Sequence, residues 1–335
     1  MRAVVIGAGA LGSRAARQLA STDGVDHLLI VDAVAERAAD VARSLGDVAS
    51  GSSSVSPGDM AEADVVLLAV PIDNRRYAES ALEQGAHVVA AVDDLEQVRD
   101  LLSLDAEARE RALSVVVGAG FSPGLTCVLA RHGAADFDSI QQVHVAKTGT
   151  GGPACARQHH RALKGEAIDW RDGGWARRRS GSGRELCYFP DPVGGEDCYR
   201  ATLPDAVLLA PAFAGIERVT ARVGATRRDR FTAWLPMLRP PHPEGVIGGV
   251  RVEVRGRRGP TEDVRILGAI DRPAVAGGAV AAVSAAWAAD GRMRRHGAGG
   301  LADLIDEPAP FLRELARRGV KAAVFEGAAG IGVPV

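Results

Sequence analysis

A glycine-rich turn near the start of the chain has the spacing that binds a dinucleotide. It follows an apolar run and has the form G-x-G-x-x-G. The first glycine permits a tight turn, the second lets backbone approach a pyrophosphate, and the third lets a helix pack closely on the strand. The start of that helix also offers unpaired N–H groups and a positive dipole end. We therefore predict a pyrophosphate site formed by Gly7, Gly9, Ala10, Leu11 and Gly12.

A carboxylate follows at the distance expected for ribose recognition. Asp32 ends a second apolar stretch, HLLIV, about 20 residues beyond Gly12. A carboxylate there accepts hydrogen bonds from the ribose hydroxyls and repels a 2′-phosphate, which favours NAD over NADP. Arg37 lies nearby and leaves NADP possible. The alternative is a plain glycine turn beside a surface aspartate.

Two further carboxylates, Asp93 and Asp94, end a later apolar stretch. A carboxylate at this position could bind a substrate ammonium or orient the nicotinamide ribose. The alternative role is an N-cap, because Asp94 precedes Glu96 and Gln97 where a helix should begin. We assign Asp93 to function and Asp94 to the cap.

The stretch TGTGGPACARQHHRALKG (148–165) is rich in polar groups. Its glycine turn carries Thr148 and Thr150, which offer hydroxyls to a carboxylate. His160 and Lys164 are four residues apart, so they share a face if the helix extends to both. We predict that Asp93, His160 and Lys164 carry the chemistry; the alternative is a solvated helix.

Two basic features flank this stretch. Lys147 ends a predicted strand and could reach a substrate carboxylate or simply be a surface lysine. The stretch WRDGGWARRRSGSGR (170–184) reads as a basic loop with two tryptophans. It is either a lid over an acidic substrate or a solvated charge run.

The elements that position these residues alternate between strand and helix. Apolar stretches at 64–71, 87–94 and 114–120 continue the series, with helical patterns between them. This alternation predicts a parallel, doubly wound sheet of the Rossmann type. Ligands of such sheets lie beyond the carboxyl ends of the strands. We therefore add to the predicted cofactor site Ala69, Val70, Pro71 and Gly120.

The second half of the chain has a different pattern. Residues 141–149, 217–224 and 250–268 alternate with period two, and GRRGP bends the last into a hairpin. The predicted fold class is α/β: an N-terminal Rossmann sheet with a second α+β domain on a mainly antiparallel sheet. The predicted domains are a dinucleotide-binding domain (1–122), a substrate and dimerisation domain (123–275), and C-terminal helices that pack back toward the first (276–335).

Composition excludes several classes of partner. The 40 basic and 42 acidic residues nearly balance, and aromatic residues make up only 4%, so no nucleic-acid partner is expected. No run is long and apolar enough for a membrane span. The four cysteines have no metal-ligand spacing, so we predict structural thiols in the cytoplasm and no metal. No HExxH, GxSxG or phosphate-loop string occurs.

Four motifs occur in a characteristic order: GAGALG (7–12), GAGFSPGLTCVLA (118–130), a hairpin RVEVRG…RILG (251–268), and a closing stretch ending PAPFLRELARRGV (308–320). Together they resemble the saccharopine dehydrogenase-like family, especially its lysine 6-dehydrogenase branch. The resemblance implies an NAD(P)-dependent oxidoreductase that works on the carbon–nitrogen bond of an amino acid, oxidising an amine or reducing an imine. It also implies a homodimer paired through the second domain.

The expected function is therefore an amino-acid or imine dehydrogenase with a small-molecule amino-acid or imine substrate. Two alternatives stay open: a non-catalytic nucleotide-binding sensor or scaffold, and an imine or enoyl reductase of secondary metabolism. The second domain separates enzyme from sensor, because hydride transfer needs polar groups around the nicotinamide and a sensor needs none.

Overall fold

The N-terminal part of the chain supplies six strands of a seven-stranded parallel sheet. The computed structural model describes residues 1–237 and 240–324. The first six strands of this sheet, β1 to β6, are Arg2–Ile6, His27–Val31, Ala49–Ser52, Val65–Leu68, His87–Ala90 and Ser114–Val117. They lie in the order β3-β2-β1-β4-β5-β6, the order of the Rossmann fold. The predicted fold is confirmed; β3, which has no apolar pattern, was not predicted.

Six helices connect these strands and cover both faces of the sheet. Helices α1 to α6 are Ala10–Ala20, Ala35–Leu45, Pro57–Ala61, Asn74–Glu83, Leu95–Leu102 and Asp105–Glu110. Asp94 caps α5 as predicted, because its carboxylate accepts the N–H groups of Glu96 and Gln97 at 3.1 and 3.2 Å.

The second domain is built on a mixed, mainly antiparallel sheet. Its strands β7 to β14 are Ser139–Lys147, Glu166–Arg171, Gly174–Arg179, Glu185–Tyr188, Gly195–Arg200, Arg218–Gly224, Gly248–Arg258 and Thr261–Asp271. Helices α7 to α10 are Leu125–Ala134, Pro153–Ala162, Asp205–Leu209 and Arg227–Thr232. Strand β7 pairs parallel with β12 and antiparallel with β13. The predicted β13–β14 hairpin is present.

Strand β7 presents different chemistry on its two faces. Side chains alternate along a strand, so Val143, Val145 and Lys147 point to one side, where all three are buried. Gln142 and His144 point to the other side and are partly exposed. The first face packs toward the nucleotide domain, and the second is the outer face of the sheet.

The basic stretch at 170–184 is not the free loop that its composition suggests. Most of it belongs to the β8–β9 hairpin, which turns at Asp172 and Gly173. Trp170 and Trp175 face each other across this hairpin, with ring centroids 4.9 Å apart. Cross-strand pairing of two aromatic rings stabilises a hairpin, and the polar composition of the arginine-rich strand hid it from the sequence.

The C-terminal segment adds a strand to each sheet. Its elements are α11 (Pro273–Ala289), β15 (Gly297–Gly299), α12 (Leu301–Leu304), α13 (Pro308–Arg317) and β16 (Ala322–Val324). Strand β15 pairs parallel with β6, and β16 pairs antiparallel with β14. We keep the divisions at 122 and 275 as proposed boundaries; of the third predicted segment, residues 325–335 lie outside the described part.

Helix α11 packs against α1 through its glycines. A Cβ on Gly278 would lie 2.8 Å from the Arg14 Cβ and 2.9 Å from the Ala15 amide nitrogen. Almost every residue of α11 is buried, which explains its small-residue composition. Within the described residues, no helix is both long and apolar enough to cross a membrane.

We expect Gly278→Ala to lower the free energy of unfolding by about 1–3 kcal/mol, because the added methyl overpacks the α1–α11 contact. Urea denaturation measures the change. Gly58→Ala is the matched control, since a Cβ on Gly58 of α3 would meet only the Ser56 hydroxyl, at 3.6 Å. That variant should be unchanged or more stable. Equal stability of both variants and the parent would contradict the packing argument.

Candidate active site

The turn between β1 and α1 has the shape that a pyrophosphate requires. A Cβ on Gly12 would collide with the Gly7 carbonyl oxygen, and a Cβ on Gly7 would lie 2.5 Å from the Ala69 carbonyl oxygen. A Cβ on Gly9, in contrast, would meet no atom within 4 Å. Gly7 and Gly12 therefore allow close packing, whereas Gly9 faces open space at the N-terminus of α1. The residues present fit a bound dinucleotide phosphate.

Asp32 ties the end of β2 to this turn. Its carboxylate accepts the N–H groups of Ala8 at 2.8 Å and Val34 at 2.9 Å, and the side chain is only 9% exposed. Arg37 Nη1 lies 3.2 Å from Asp32 Oδ1, while the Arg37 side chain is 52% exposed. A buried carboxylate and a half-exposed guanidinium thus lie together where the adenosine ribose is expected.

The other predicted cofactor residues lie at the ends of β4 and β6. The carbonyl oxygen of Val70 accepts a hydrogen bond from Asn74, and that of Pro71 accepts one from Gln97. Gly120 is buried, and its N–H donates to the Pro123 carbonyl oxygen at 3.0 Å. Contact of the cofactor with Ala69, Val70, Pro71 and Gly120 stays a prediction.

Loops of the second domain approach the glycine-rich turn. A Cβ on Gly152 would lie 2.8 Å from the Ala10 Cβ, and the Gly152 φ of 122° also favours glycine. Arg14 of α1 forms an ion pair with Glu244. The two domains therefore meet beside the glycine-rich turn, where we place the cofactor cleft, with α8 beginning directly beside it.

One face of α8 points to the end of β5. Cys155, Gln158 and His159 share this face, since they are spaced by three and four residues. Gln158 Nε2 donates to Asp94 Oδ2 at 2.9 Å. Burial and the neighbouring Asp93 raise the pKa of the Cys155 thiol to about 11, so this cysteine is a neutral thiol at pH 7.

Lys147 brings its charge to the same place from the end of β7. It is only 5% exposed, and its Nζ donates to the Ser122 carbonyl oxygen at 2.9 Å. Burial raises the pKa of Asp93, and the attraction of Lys147 opposes part of that rise. Burial, and then Lys147, lower the pKa of His159 well below its usual value.

Asp93, Lys147 and His159 therefore form a polar cluster, named here the cleft cluster. His159 is neutral at pH 7, and within the described residues its Nε2 is buried without a hydrogen-bond partner. A fully buried residue, Asp205, fixes the segment that binds Lys147. Its carboxylate accepts hydrogen bonds from the hydroxyl groups of Ser122 and Thr126, at 3.0 Å each.

Of the three predicted catalytic residues, the structure brings only Asp93 to this cluster. His160 points away, and its Nε2 lies 2.9 Å from the Leu235 carbonyl oxygen. Helix α8 ends at Ala162, so Lys164 lies beyond it, exposed, and the expected shared face does not form. The sequence analysis missed His159 and Cys155, although α8 periodicity places both on the face that also carries Gln158. Within the described residues no cluster suited to a metal ion is present.

We expect Gly9→Ala to abolish NAD(P) binding without unfolding the protein, because the added methyl enters only the open space that a pyrophosphate would fill. Titration calorimetry measures the binding, and thermal unfolding measures the stability. Gly12→Ala is the contrast, since its methyl collides with the Gly7 carbonyl and should destabilise the fold. Undiminished NAD(P) affinity of Gly9→Ala would refute the pyrophosphate assignment.

The Asp32–Arg37 pair should set the choice between NAD and NADP. We expect Asp32→Asn to shift the ratio of affinities toward NADP by about tenfold, because it removes a negative charge that repels the 2′-phosphate. Arg37→Gln should shift the ratio toward NAD. Calorimetric titration with both dinucleotides measures the ratio. Arg43→Gln, on the same helix and paired with Asp40, should leave it unchanged; an unmoved ratio in all three variants would exclude the pair from cofactor recognition.

Comparisons with known proteins agree with this geometry. Residues 3–113 match the family model of the saccharopine dehydrogenase NADP binding domain. Among solved structures, apo saccharopine dehydrogenase (L-Glu forming) from Saccharomyces cerevisiae superposes with a TM-score of 0.68 at 15% identity, over 97% of this chain and 99% of that chain. At this identity the likeness shows the fold.

Two other solved structures are similar over most of their length. They are C. glutamicum DAP dehydrogenase in complex with DAP (TM-score 0.49, 15% identity, 93% of this chain and 98% of that chain) and GenD2 from gentamicin A biosynthesis in complex with NAD (0.48, 15%, 98% and 97%). The family match over residues 3–113 confirms the predicted resemblance and the NAD(P) cofactor. Residues 3–113 are therefore similar to the NADP binding domain of saccharopine dehydrogenases, and the overall fold of the chain is that of the yeast enzyme.

Proposed function

We propose that the protein is an NAD(P)-dependent oxidoreductase that acts on the carbon–nitrogen bond of an amino acid or of the corresponding imine. The observation that carries the proposal is the cleft cluster. It sets a carboxyl group, an ammonium and a neutral imidazole at the interdomain cleft, beside the glycine-rich turn.

The amino group of Lys147 and the carboxyl group of Asp93 suit an amino acid. Lys147 binds a substrate carboxylate, and the carboxyl group of Asp93, whose pKa is raised by burial, accepts hydrogen bonds from a substrate ammonium or iminium nitrogen. Both side chains sit where burial strengthens such contacts, because few waters compete for them. A substrate with both groups satisfies both side chains at once, which is why an amino acid fits better than a simple alcohol.

His159 is the proposed general base. NAD(P), when bound, accepts or supplies the hydride. The chain itself must manage one proton, since an alkylammonium loses a proton before its carbon can lose hydride. His159 is neutral because its pKa is lowered, and its unpartnered Nε2 is available to take that proton. In the reverse direction the protonated His159 returns the proton to nitrogen.

The same cluster favours an enzyme over a nucleotide sensor. A carboxyl group and an imidazole with shifted pKa values beside a buried lysine are typical of catalytic sites, and a sensor would have no use for them. We further propose a homodimer and a cytoplasmic location; the four cysteines, all free thiols, are consistent with a reducing compartment.

We expect a spectrophotometric screen at 340 nm to find turnover with an amino acid plus NAD or NADP, or with an amine–carbonyl pair plus the reduced cofactor.

On the substrate found in this screen, His159→Asn should lower kcat by about 10²-fold or more, as loss of a general base does. The matched control is the neighbouring His160→Asn, which should stay near the parent rate. The parent should lose activity as pH falls below the lowered pKa of His159, because protonation removes the base, and His159→Asn should lack that limb.

Two results would count against the proposal. Absence of turnover for every substrate, with NAD(P) binding intact, would favour the sensor. Equal loss of activity in His159→Asn and His160→Asn, or an unchanged acid limb in His159→Asn, would remove His159 from the chemistry while leaving the oxidoreductase assignment standing.

A further inference from the structure

The outer face of the second sheet contains a pocket that the proposed reaction does not use. Its volume is about 480 Å³, and it opens between β7, β10, β12 and β13. His144 lies in this pocket, whereas Lys147, three residues along the same strand, points to the opposite face. The thickness of the sheet therefore separates this outer-face pocket from the cleft cluster.

The charged lining of the pocket is unbalanced. It comprises four arginines and two glutamates: Arg218, Arg222, Arg251, Arg255, Glu185 and Glu253. Glu253 is shared by two of the arginines, Arg251 at 2.7 Å and Arg255 at 2.6 Å. Arg222 pairs with Glu185. The lining thus carries two more positive charges than negative ones.

Of the four lining arginines, Arg218 is the one without a counterion in the described part of the chain. Within the described residues it has no carboxylate within ion-pair distance, and its Nε is buried without a hydrogen-bond partner. The nearby carboxylate of Asp169 is paired with Arg200 instead, at 3.4 Å. A buried guanidinium nitrogen without an acceptor is costly, and an anion in the pocket would satisfy it.

His144 adds no charge to this surface. Its Nδ1 lies 2.8 Å from the Thr220 hydroxyl oxygen, and its Nε2 lies 3.0 Å from Oε1 of the Gln142 side chain. Burial lowers the pKa of His144 to about 4, so the imidazole is neutral at pH 7. The pocket therefore has a neutral, hydrogen-bonding floor surrounded by guanidinium groups.

We propose that the outer-face pocket binds a small oxyanion with two negative charges. The guanidinium fork matches the paired oxygens of a carboxylate or a phosphate, and a charge of −2 balances the arginine excess. The site is separate from the dinucleotide turn and from the cleft cluster, so it does not depend on the proposed reaction.

The test is calorimetric titration of the full chain with inorganic phosphate and, separately, with succinate. Excess NADPH is present throughout so that phosphate does not occupy the glycine-rich turn, and chloride keeps the ionic strength constant. We expect saturable binding of at least one anion, one per chain. Arg218→Gln and Arg255→Gln should each weaken it about tenfold or more.

Arg257→Gln is the matched control, because Arg257 is an exposed residue of β13 that does not line the pocket. It should leave the affinity unchanged. Binding of phosphate alone identifies a phosphoryl ligand, binding of succinate alone identifies a dicarboxylate, and binding of both identifies a general oxyanion site. No saturable binding of either anion, or equal weakening by Arg257→Gln, overturns the proposal. Arg255 is half-exposed, so its variant carries the test if Arg218→Gln does not fold.

Discussion

The ammonium of Lys147 is buried at the contact between the two domains, and its charge must be balanced there. Its only hydrogen bond within the described residues goes to the Ser122 carbonyl oxygen, so the field of the ammonium acts on its neighbours. It stabilises the charged form of Asp93 and disfavours protonation of His159. Burial alone would push both groups toward neutrality. Lys147 thus opposes the effect of burial on the pKa of Asp93 and adds to the effect of burial on the pKa of His159.

The position of Lys147 depends on contacts among segments that lie far apart in the sequence. The SPGL segment (122–125) supplies the carbonyl oxygen that accepts this hydrogen bond. Asp205 fixes the segment, because its carboxylate accepts the hydroxyl groups of Ser122 and Thr126. Helix α11 lies over the same region, and a Cβ on Gly277 would lie 3.1 Å from the Phe121 amide nitrogen. Small residues let these backbones approach closely. Segments that are far apart in the sequence therefore shape the cleft, and the glycine of α11 lets its backbone pack closely on the segment around Phe121.

Local patterns predicted the fold well and the cleft only in part. The strands around 4–6, 27–31 and 87–90 were predictable because apolar runs between helices imply a parallel sheet, and the Asp94 cap followed from its spacing to α5. His159 was not predictable, because two adjacent histidines on a helix differ by 100° in direction and only tertiary packing decides which faces the cleft. Asp205 was hidden for the same reason: nothing local links it to Ser122, 83 residues earlier. The arginines of β9 concealed a strand because strand propensity depends on cross-strand partners.

The register of β7 keeps the charged groups of the cleft cluster and of the outer-face pocket on opposite faces of the second sheet. Pairing with β12 on one side and β13 on the other fixes this strand, and a slip of one residue would exchange its two faces. Lys147 would then turn to the outer face, where the arginine excess would repel it. His144 would turn to the inner face, among Val252 and Val254, where its ring nitrogens would lose their partners. Because both outcomes are unfavourable, the outer arginines and the inner apolar layer together hold Lys147 at the cleft. The alternation of side chains along β7 thus places the cleft cluster and the charged outer surface on opposite faces of the same strand.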